Sequence, residues 1–460
     1  SIASGGNYNV TIGDEAGTAI TTGDNNVAIG YNAGIAYAAQ SQNTMVGSSA
    51  GVADTGANNT GIGFNSIAAA GTGANNTAVG GFSLYANTSG ASNVAIGASA
   101  LVANTEGDNN VAVGALSLDA NTDATGNTAV GYAALSANTA GIQNVAIGIN
   151  AMIGGTTGDY NVAIGALSLD AINTADYNTA VGYGTLTTNT SGASNVAIGR
   201  NALLSNTTGA NNIAVGALSL DANDSASSNV AVGHNSLSTN IVGAANVAVG
   251  TNALTANIAS NNTAVGQDSA KANTSGTGIT AIGYQALIAN TDGNGNTAVG
   301  FKALFTNIDG DNNTAVGQAA LTLNSTGSHN TSVGLNTLDA NTSGLGNIAM
   351  GHVALGLNET GDYNVAIGYA ALDASVGADV NTAVGLYSLS TNTTGTFNTA
   401  IGAYSGNLIT EGDYNTSLGY NAQPTGATAD GEFTLGNSNV STLRCNDTSI
   451  SSLSDSRDKT

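Results

Sequence analysis

The stretch Asn76-Thr77-Ala78-Val79-Gly80 decides the fold, because close copies of it recur along nearly the whole chain at one fixed spacing. Its closing glycine returns with a period of 17 from Gly13 to Gly436, with two shorter intervals, Gly47 to Gly63 and Gly250 to Gly266. A repeat this short and regular indicates stacked, nearly identical structural units, each of which contacts only its neighbours. We call one repeat a rung and number its positions from the closing glycine, which is position 0.

The consensus rung reads G-x-x-A-L-x-x-N-T-x-G-x-x-N-T-A-V. The β-branched run before the glycine predicts a strand of four or five residues, with positions −3 and −1 on one face and position −2 on the other. The Ala-Leu pair at +3 and +4 fits either a second short strand or a single helical turn. We favour the strand, because so short a rung leaves no room for a normal helix, a strand and two turns. Each rung is therefore predicted to hold two strands and two turns, with Asn-Thr-x-Gly as turn chemistry.

Identical rungs stacked at the strand spacing of roughly 4.8 Å predict parallel, in-register sheets and a rod of roughly 120 Å. Asparagines at +7 and at −4 are expected to form ladders in which each amide bonds the next, and Leu at +4 with Val or Ile at −1 is expected to fill the interior. Because both strand faces are apolar or small, one face would stay uncovered in a single chain. The predicted fold class is therefore an all-β, parallel β-roll or β-solenoid bundled as a parallel homotrimeric fibre. A wider single-chain solenoid that closes on itself remains the alternative.

The composition excludes several function classes. The 460 residues include 64 Gly, one Pro and no Trp, with 42% hydrophobic and only 8% charged residues, which argues against disorder and for a fibrous fold. The net charge is −23, and the repeats contain only Arg200, Lys271 and Lys302 as basic residues, so a nucleic-acid surface is not expected. No apolar run approaches the roughly 20 residues of a membrane span, so no membrane insertion is expected. The lone Cys445 cannot form an intrachain disulfide and is interpreted as a packing residue.

The chain is predicted to have three parts. The repeat array covers residues 1–436, with loose rungs as far as Gly63 and a short strand-like run, Phe433-Thr434-Leu435, before the last closing glycine. Residues 437–453 are rich in Ser, Thr and Asn and are interpreted as a transition to a narrower stem. Residues 454–460 form the third part.

The array resembles the heads of trimeric autotransporter adhesins. The resemblance lies in segments such as Asn93-Val94-Ala95-Ile96-Gly97 and Asn144-Val145-Ala146-Ile147-Gly148, and it covers about Asn9 to Gly419. It implies a left-handed β-roll and a trimer. The rung of this chain is longer than the typical adhesin head rung.

The last residues, Ser454-Asp455-Ser456-Arg457-Asp458-Lys459, match the pattern S-D-x-R-x-K. This resembles the opening of the intramolecular chaperone domain of phage tail fibres and tailspikes, also described as the self-cleaving S74 peptidase family. The resemblance implies a C-terminal chaperone that drives trimerisation and then removes itself, with Ser454 as nucleophile and Lys459 as the base that activates it. Only the start of such a domain is present, so autoproteolysis is expected once, in a longer precursor.

Other candidate sites are weaker. His234, His329 and His352 do not have metal-ligand spacing. Six aspartates at +11 occur in non-adjacent rungs and are interpreted as solvated turn residues, in preference to calcium ligands: Asp24, Asp108, Asp159, Asp311, Asp362 and Asp413. Six aromatic residues recur at +1, where packing between rungs is favoured over stacking on sugar rings: Tyr132, Tyr183, Tyr284, Phe301, Tyr369 and Tyr420. No cofactor or metal is predicted, and no enzymatic activity apart from the autoproteolysis.

These observations favour a structural and adhesive protein, namely the repeat shaft or head of a bacteriophage tail fibre that functions in host attachment. Its expected location is the virion tail fibre, outside the cell, and its expected partners are two further copies of itself and a host cell-surface receptor or glycan. The first alternative is the head of a trimeric adhesin on a bacterial surface. The second is an ice- or surface-binding solenoid, which the irregular alternation of Thr77, Val94, Val111 and Thr128 disfavours.

Overall fold

The computed structural model describes residues 6–442, which contain 26 three-residue β-strands and no helix. The chain divides between Asp309 and Gly310 into two compact units, of which the first holds 18 strands and the second holds eight. The strands are β1 (Val10–Ile12), β2 (Val27–Ile29), β3 (Thr44–Val46), β4 (Thr60–Ile62), β5 (Thr77–Val79), β6 (Val94–Ile96), β7 (Val111–Val113), β8 (Thr128–Val130), β9 (Val145–Ile147), β10 (Val162–Ile164), β11 (Thr179–Val181), β12 (Val196–Ile198), β13 (Ile213–Val215), β14 (Val230–Val232), β15 (Val247–Val249), β16 (Thr263–Val265), β17 (Thr280–Ile282), β18 (Thr297–Val299), β19 (Thr314–Val316), β20 (Thr331–Val333), β21 (Ile348–Met350), β22 (Val365–Ile367), β23 (Thr382–Val384), β24 (Thr399–Ile401), β25 (Thr416–Leu418) and β26 (Phe433–Leu435).

Each unit is a parallel β-solenoid that repeats the predicted rung. Every strand pairs in register with the equivalent strand of the next rung of its unit, so that Ala78 in β5 lies beside Ala95 in β6. The same register holds in the second unit, where Ala366 in β22 lies beside Ala383 in β23. The predicted all-β, parallel and in-register architecture is confirmed in both units, with strands shorter than the predicted four or five residues.

The closing glycine is required for two reasons. Gly80 has a φ of +136°, a region that residues with a side chain rarely adopt. In addition, a Cβ atom added to Gly80 would lie 2.5 Å from the carbonyl oxygen of Gly97 in the next rung. The backbones of successive rungs thus approach too closely at position 0 for any side chain, which explains why glycine recurs there.

The interior of a rung is built from Ala at −2 and Leu at +4, both fully buried, as Ala95 and Leu101 illustrate. The predicted Leu ladder is therefore confirmed. The predicted contribution of Val and Ile at −1 to the interior is wrong, because these side chains point outward and Ile96 is 40% exposed. Side chains alternate along a strand, so burying position −2 forces positions −3 and −1 onto the outer face.

The Ala-Leu pair does not form the predicted second strand. Leu101 has a φ of +50° and Ser99 a φ of +57°, so this segment is a series of turns, one of which is closed by the Asn104 N–H donating to the Leu101 carbonyl at 3.2 Å. A left-handed leucine is unfavourable by about 1–2 kcal/mol. The Leu101 N–H donates to the Ser117 carbonyl of the next rung at 3.0 Å, and this bond together with the buried side chain compensates for the strain.

Two columns of buried asparagines follow the rungs, as predicted. At +7, Asn104 Nδ2 donates to Asn87 Oδ1 at 3.0 Å, which makes an amide ladder. At −4 the backbone N–H of Asn110 donates to Asn93 Oδ1 at 2.9 Å, and Asn93 Nδ2 donates to the Gly107 carbonyl at 2.8 Å. The predicted amide-to-amide bond is present in some rungs only, as from Asn161 Nδ2 to Asn144 Oδ1 at 3.2 Å. Both columns therefore satisfy buried polar groups, which would otherwise destabilise so thin a core.

The predicted final rung is confirmed by β26, Phe433–Leu435. Of the predicted transition segment 437–453, the structure describes only residues 437–442, which contain no strand. The predicted third part, residues 454–460, lies outside the described residues. Within residues 6–442, no helical segment could traverse a lipid bilayer.

Candidate functional site

The residues predicted to carry chemistry, Ser454 and Lys459, lie outside residues 6–442, as does Cys445. Within the described part of the chain, no three His, Cys, Asp or Glu side chains converge to hold a metal ion. The ring of His352 packs against an aromatic side chain, since it lies 5.2 Å from the ring of Tyr369 in the next rung.

The aspartates at +11 are bonded into the stack and are not merely solvated. Asp108 Oδ1 accepts the backbone N–H of Ala91 in the preceding rung at 2.6 Å, and Asp159 Oδ1 accepts that of Ile142 at 2.8 Å. Carboxylates also occupy +11 in adjacent rungs, since the Asp159 N–H donates to Asp176 Oδ1 at 2.8 Å. Position +11 therefore supplies an acceptor for the preceding rung, a structural role that was not predicted from the sequence.

The outer strand face, formed by positions −3 and −1, carries an apolar column at −1 in each unit, beside a position −3 that is Thr in half of the described strands. Ile147 and Ile164, in the adjacent strands β9 and β10, are 38% and 39% exposed. Other exposed residues at −1 are Ile12, Ile62, Ile96, Ile198, Ile282, Val316, Met350, Ile367, Ile401 and Leu435. Contiguous apolar patches of more than a few hundred Å² are uncommon on monomeric proteins, so this face is a candidate interface.

Aromatic side chains at +1 are exposed and pack between rungs where they are neighbours. The rings of Tyr284 and Phe301 stack at 5.6 Å with an interplanar angle of 16°, as the packing interpretation predicted. The second unit carries a longer run, in which ring centroids of successive rungs are 5.2, 5.3, 5.5 and 6.2 Å apart. We call this run the aromatic ladder; its members are His352, Tyr369, Tyr387, Tyr404 and Tyr420.

A pocket of about 350 Å³ opens on the second unit around Gly356, which occupies position +5. Asp339 and Asp373 hold the same position in the rungs on either side and both line the pocket. Other rungs carry Val102 or Leu204 at +5. The missing side chain of Gly356 is therefore what opens the space between the two carboxylates.

The remaining walls of this +5 pocket are mainly apolar. Leu323 and Leu357, both at +6 and both exposed to solvent, flank Ala340, and Val353 at +2 completes the lining. A concave space with apolar walls and a few polar groups is the usual form of a small-ligand site.

The two pocket carboxylates are partly desolvated. Burial raises the pKa of Asp339 and of Asp373 above the ordinary value for aspartate. Asp373 Oδ1 is buried and has no hydrogen-bond partner. In the first unit, Asp119 and Asp221 also lie at +5, have raised pKa values and have a buried Oδ1 without a partner. Desolvation is therefore a general feature of Asp at +5, whereas the pocket is specific to the rung with Gly356.

The +5 pocket and the aromatic ladder adjoin along the chain. Val353 in the pocket wall directly follows His352 in the ladder. The pKa of the Tyr387 phenol is raised first by its hydrogen bond with Tyr369 and then by desolvation, and the negative charge of Asp373 contributes to the same shift.

This site was not predicted from the sequence, although part of its signal is visible there. Leu338-Asp339-Ala340 and Leu372-Asp373-Ala374 repeat one motif on both sides of the rung that contains Gly356. The predicted stripe at +1 included Tyr369 and Tyr420 but not Tyr387 or Tyr404, which lie at +2.

The fold and this surface define the chain as a β-solenoid repeat protein with a run of aromatic rings and a pocket lined by Leu, Val, Ala, Gly and Asp. No protein-family model matches the chain, and no curated protein matches it.

Proposed function

We propose that the protein is a structural and adhesive fibre whose solenoids associate in parallel as a homotrimer. The outer strand face carries this proposal, because it exposes an apolar column along the rungs of both units. Burying apolar surface stabilises an interface by roughly 25 cal/mol per Å², and a face that extends over many rungs multiplies this gain.

The face is suited to another copy of the same chain. Its apolar side chains recur once per rung, so a second solenoid in parallel orientation presents the same spacing. None of the 26 described strands contains a charged residue, although the chain has a net charge of −23. Association through this face therefore does not bring strand charges together.

We further propose that the fibre belongs to a bacteriophage tail and attaches the virion to a receptor or glycan on the host cell. The six-residue pattern from Ser454 to Lys459 supports this proposal, because it resembles the opening of the intramolecular chaperone domain that follows the fibrous repeats of phage tail fibres. A bacterial trimeric adhesin head is the alternative that the Asn93 to Gly97 pattern favours. Cleavage beside Ser454 in a longer precursor, abolished by Ser454→Ala, would support the phage assignment.

The mass of the native particle in solution tests the trimer. Multi-angle light scattering is expected to give three times the chain mass of 44.6 kDa at every protein concentration. A mass near 44.6 kDa throughout would overturn the bundled fibre and leave a self-contained solenoid.

A charged variant of the outer strand face tests which surface holds the trimer together. The triple variant Ile147→Glu, Ile164→Glu, Ile198→Glu is expected to lower the urea concentration at which the trimer dissociates, because it buries carboxylates in an apolar interface. Val242→Glu is the matched control, since Val242 is also exposed but lies between strands. Equal effects of the two variants would contradict the proposed interface.

A further inference from the structure

We infer that the +5 pocket and the aromatic ladder together bind an uncharged pyranose glycan. The inference deepens the adhesive function proposed above and rests on it. It assigns a ligand class to the second unit, where two observations coincide: a cavity, and a run of aromatic rings of which Tyr369 and Tyr420 are exposed.

The aromatic ladder supplies the apolar contact. Tyr369 and Tyr420 are 45% and 63% exposed, so their rings present area to a ligand. Each ring has an apolar face and a hydroxyl, which matches a sugar ring that is apolar on its C–H face and polar at its edge. Because the ladder places about one ring per rung, an extended glycan can contact several rings at once.

The +5 pocket supplies the polar contacts. Asp339 and Asp373 are acceptors on opposite sides of the gap left by Gly356. Asp339 Oδ1 lies 3.6 Å from where a Cβ of residue 356 would be, so a sugar hydroxyl in the gap can donate to it. The pocket volume of about 350 Å³ falls within the roughly 300–1,000 Å³ of small-ligand sites, so it can hold a single ring while the rest of the chain follows the ladder.

The charge distribution selects against acidic sugars. Residues 310–442 contain no Lys or Arg, and both polar side chains in the pocket are carboxylates. A uronic or sialic acid would meet like charge without a cation to pair with. The ligand is therefore assigned as neutral.

The test uses the full chain on a printed array of neutral hexose, N-acetylhexosamine, sialylated and uronic-acid glycans. Binding to neutral glycans and not to the acidic ones is expected. The affinity for the strongest neutral binder can then be measured by tyrosine fluorescence, which is unobscured because the chain has 15 Tyr and no Trp.

Gly356→Leu fills the pocket and is expected to weaken this affinity at least tenfold. The variant should fold, because Leu204 occupies the same rung position elsewhere and the φ of Gly356 is not in the left-handed region. Tyr387→Phe and Asp373→Asn are expected to weaken binding several-fold. Asp221→Asn is the matched control, since Asp221 lies at +5 in the first unit, away from the pocket, and it should leave the affinity unchanged.

Three results would overturn the inference: no neutral glycan bound, full affinity in Gly356→Leu, or acidic glycans bound as tightly as neutral ones. Light scattering on the same samples separates this inference from the proposed fibre. If the protein is a trimer but binds no glycan, the glycan site is disproved and the fibre is not. If it is a monomer whose binding of neutral glycans is lost in Gly356→Leu, the fibre is disproved and the glycan site is not.

Discussion

At the scale of single residues, two adjacent glycines show how differently the rung uses the same amino acid. Gly80 has positive φ and faces the backbone of the next rung, whereas the nearest atom to a Cβ added at Gly81 is 3.9 Å away. Other rungs carry Ala98 and Ala115 in the place of Gly81. Only the first of the two glycines is therefore demanded by the structure.

Gly80→Ala is expected to destabilise the protein by more than about 2 kcal/mol, because it combines backbone strain with overpacking against Gly97. Gly81→Ala should be neutral or slightly stabilising, since it lowers the entropy of the unfolded chain. Urea unfolding of both variants checks this prediction. A loss of stability in Gly81→Ala that equals the loss in Gly80→Ala would contradict the close approach between rungs.

At the scale of structural elements, the columns that connect rungs matter more than the strands, which are only three residues long. The +7 column begins irregularly: Tyr37 and Asp54 take the place of asparagine, and Tyr37 Oη donates to Asp54 Oδ2 at 3.0 Å. From Asn87 onward most rungs form an amide ladder, which is interrupted at Gly155, Ile172, Ser375 and Ile409. Because Ile20 and Ala70 hold this position in other N-terminal rungs, only the Tyr37 and Asp54 pair keeps the column polar there.

Asn104→Ala tests the amide ladder. Asn104 donates to Asn87 Oδ1 at 3.0 Å and accepts from Asn121 Nδ2 at 2.7 Å, so its removal leaves buried polar groups on both neighbours without this partner. The expected cost is about 2–4 kcal/mol. The urea unfolding midpoint measures it, with Ser89→Ala, at an exposed position between strands, as control. An effect no larger than that of the control would show that the ladder does not stabilise the stack.

At the scale of the whole molecule, the stability is expected to depend on pH, because the chain has a net charge of −23 and buries several of its carboxyl groups. Burial raises the pKa of six carboxyl groups, namely Asp54, Asp119, Asp170, Asp221, Asp339 and Asp373. The pKa of Asp268 is lowered, because desolvation is outweighed by hydrogen bonds from Asn252 and Lys271, and that of Glu432 is lowered by hydrogen bonds from Thr425. Because raised pKa values outnumber lowered ones, we expect net proton uptake on folding.

The free energy of unfolding is expected to rise as the pH falls from 7 through the raised pKa values. A carboxyl group with a raised pKa in the folded state contributes stability that is complete below the unfolded value of 3.8 and is lost as the pH rises through the folded value. Thermal midpoints at several pH values measure the trend. The same measurements in high salt isolate the effect of the buried carboxyl groups, because salt screens surface repulsion but not desolvation. Asp54→Asn removes one of these groups and should make the change of stability with pH smaller. A stability maximum at neutral pH would contradict the prediction.

The sequence by itself determined the parallel register, the rung length and the two asparagine columns. These follow from periodicity, because identical residues at a constant interval must stack on one another, as Ala78 stacks on Ala95 and Asn104 on Asn87. The strand at −3 to −1 was equally predictable from its β-branched residues, and so was the burial of Leu101.

Only the tertiary structure decided how the chain turns between strands and which strand face points inward. Leu101 lies in a left-handed turn because hydrogen bonds to the next rung outweigh its local preference, and Ile96 points outward because Ala95 occupies the narrow interior. The +5 pocket arises where rungs that are distinct in sequence come together, with Gly356 between Asp339 and Asp373. A gap of this kind depends on what the neighbouring rungs place around one missing side chain, and periodicity alone does not predict it.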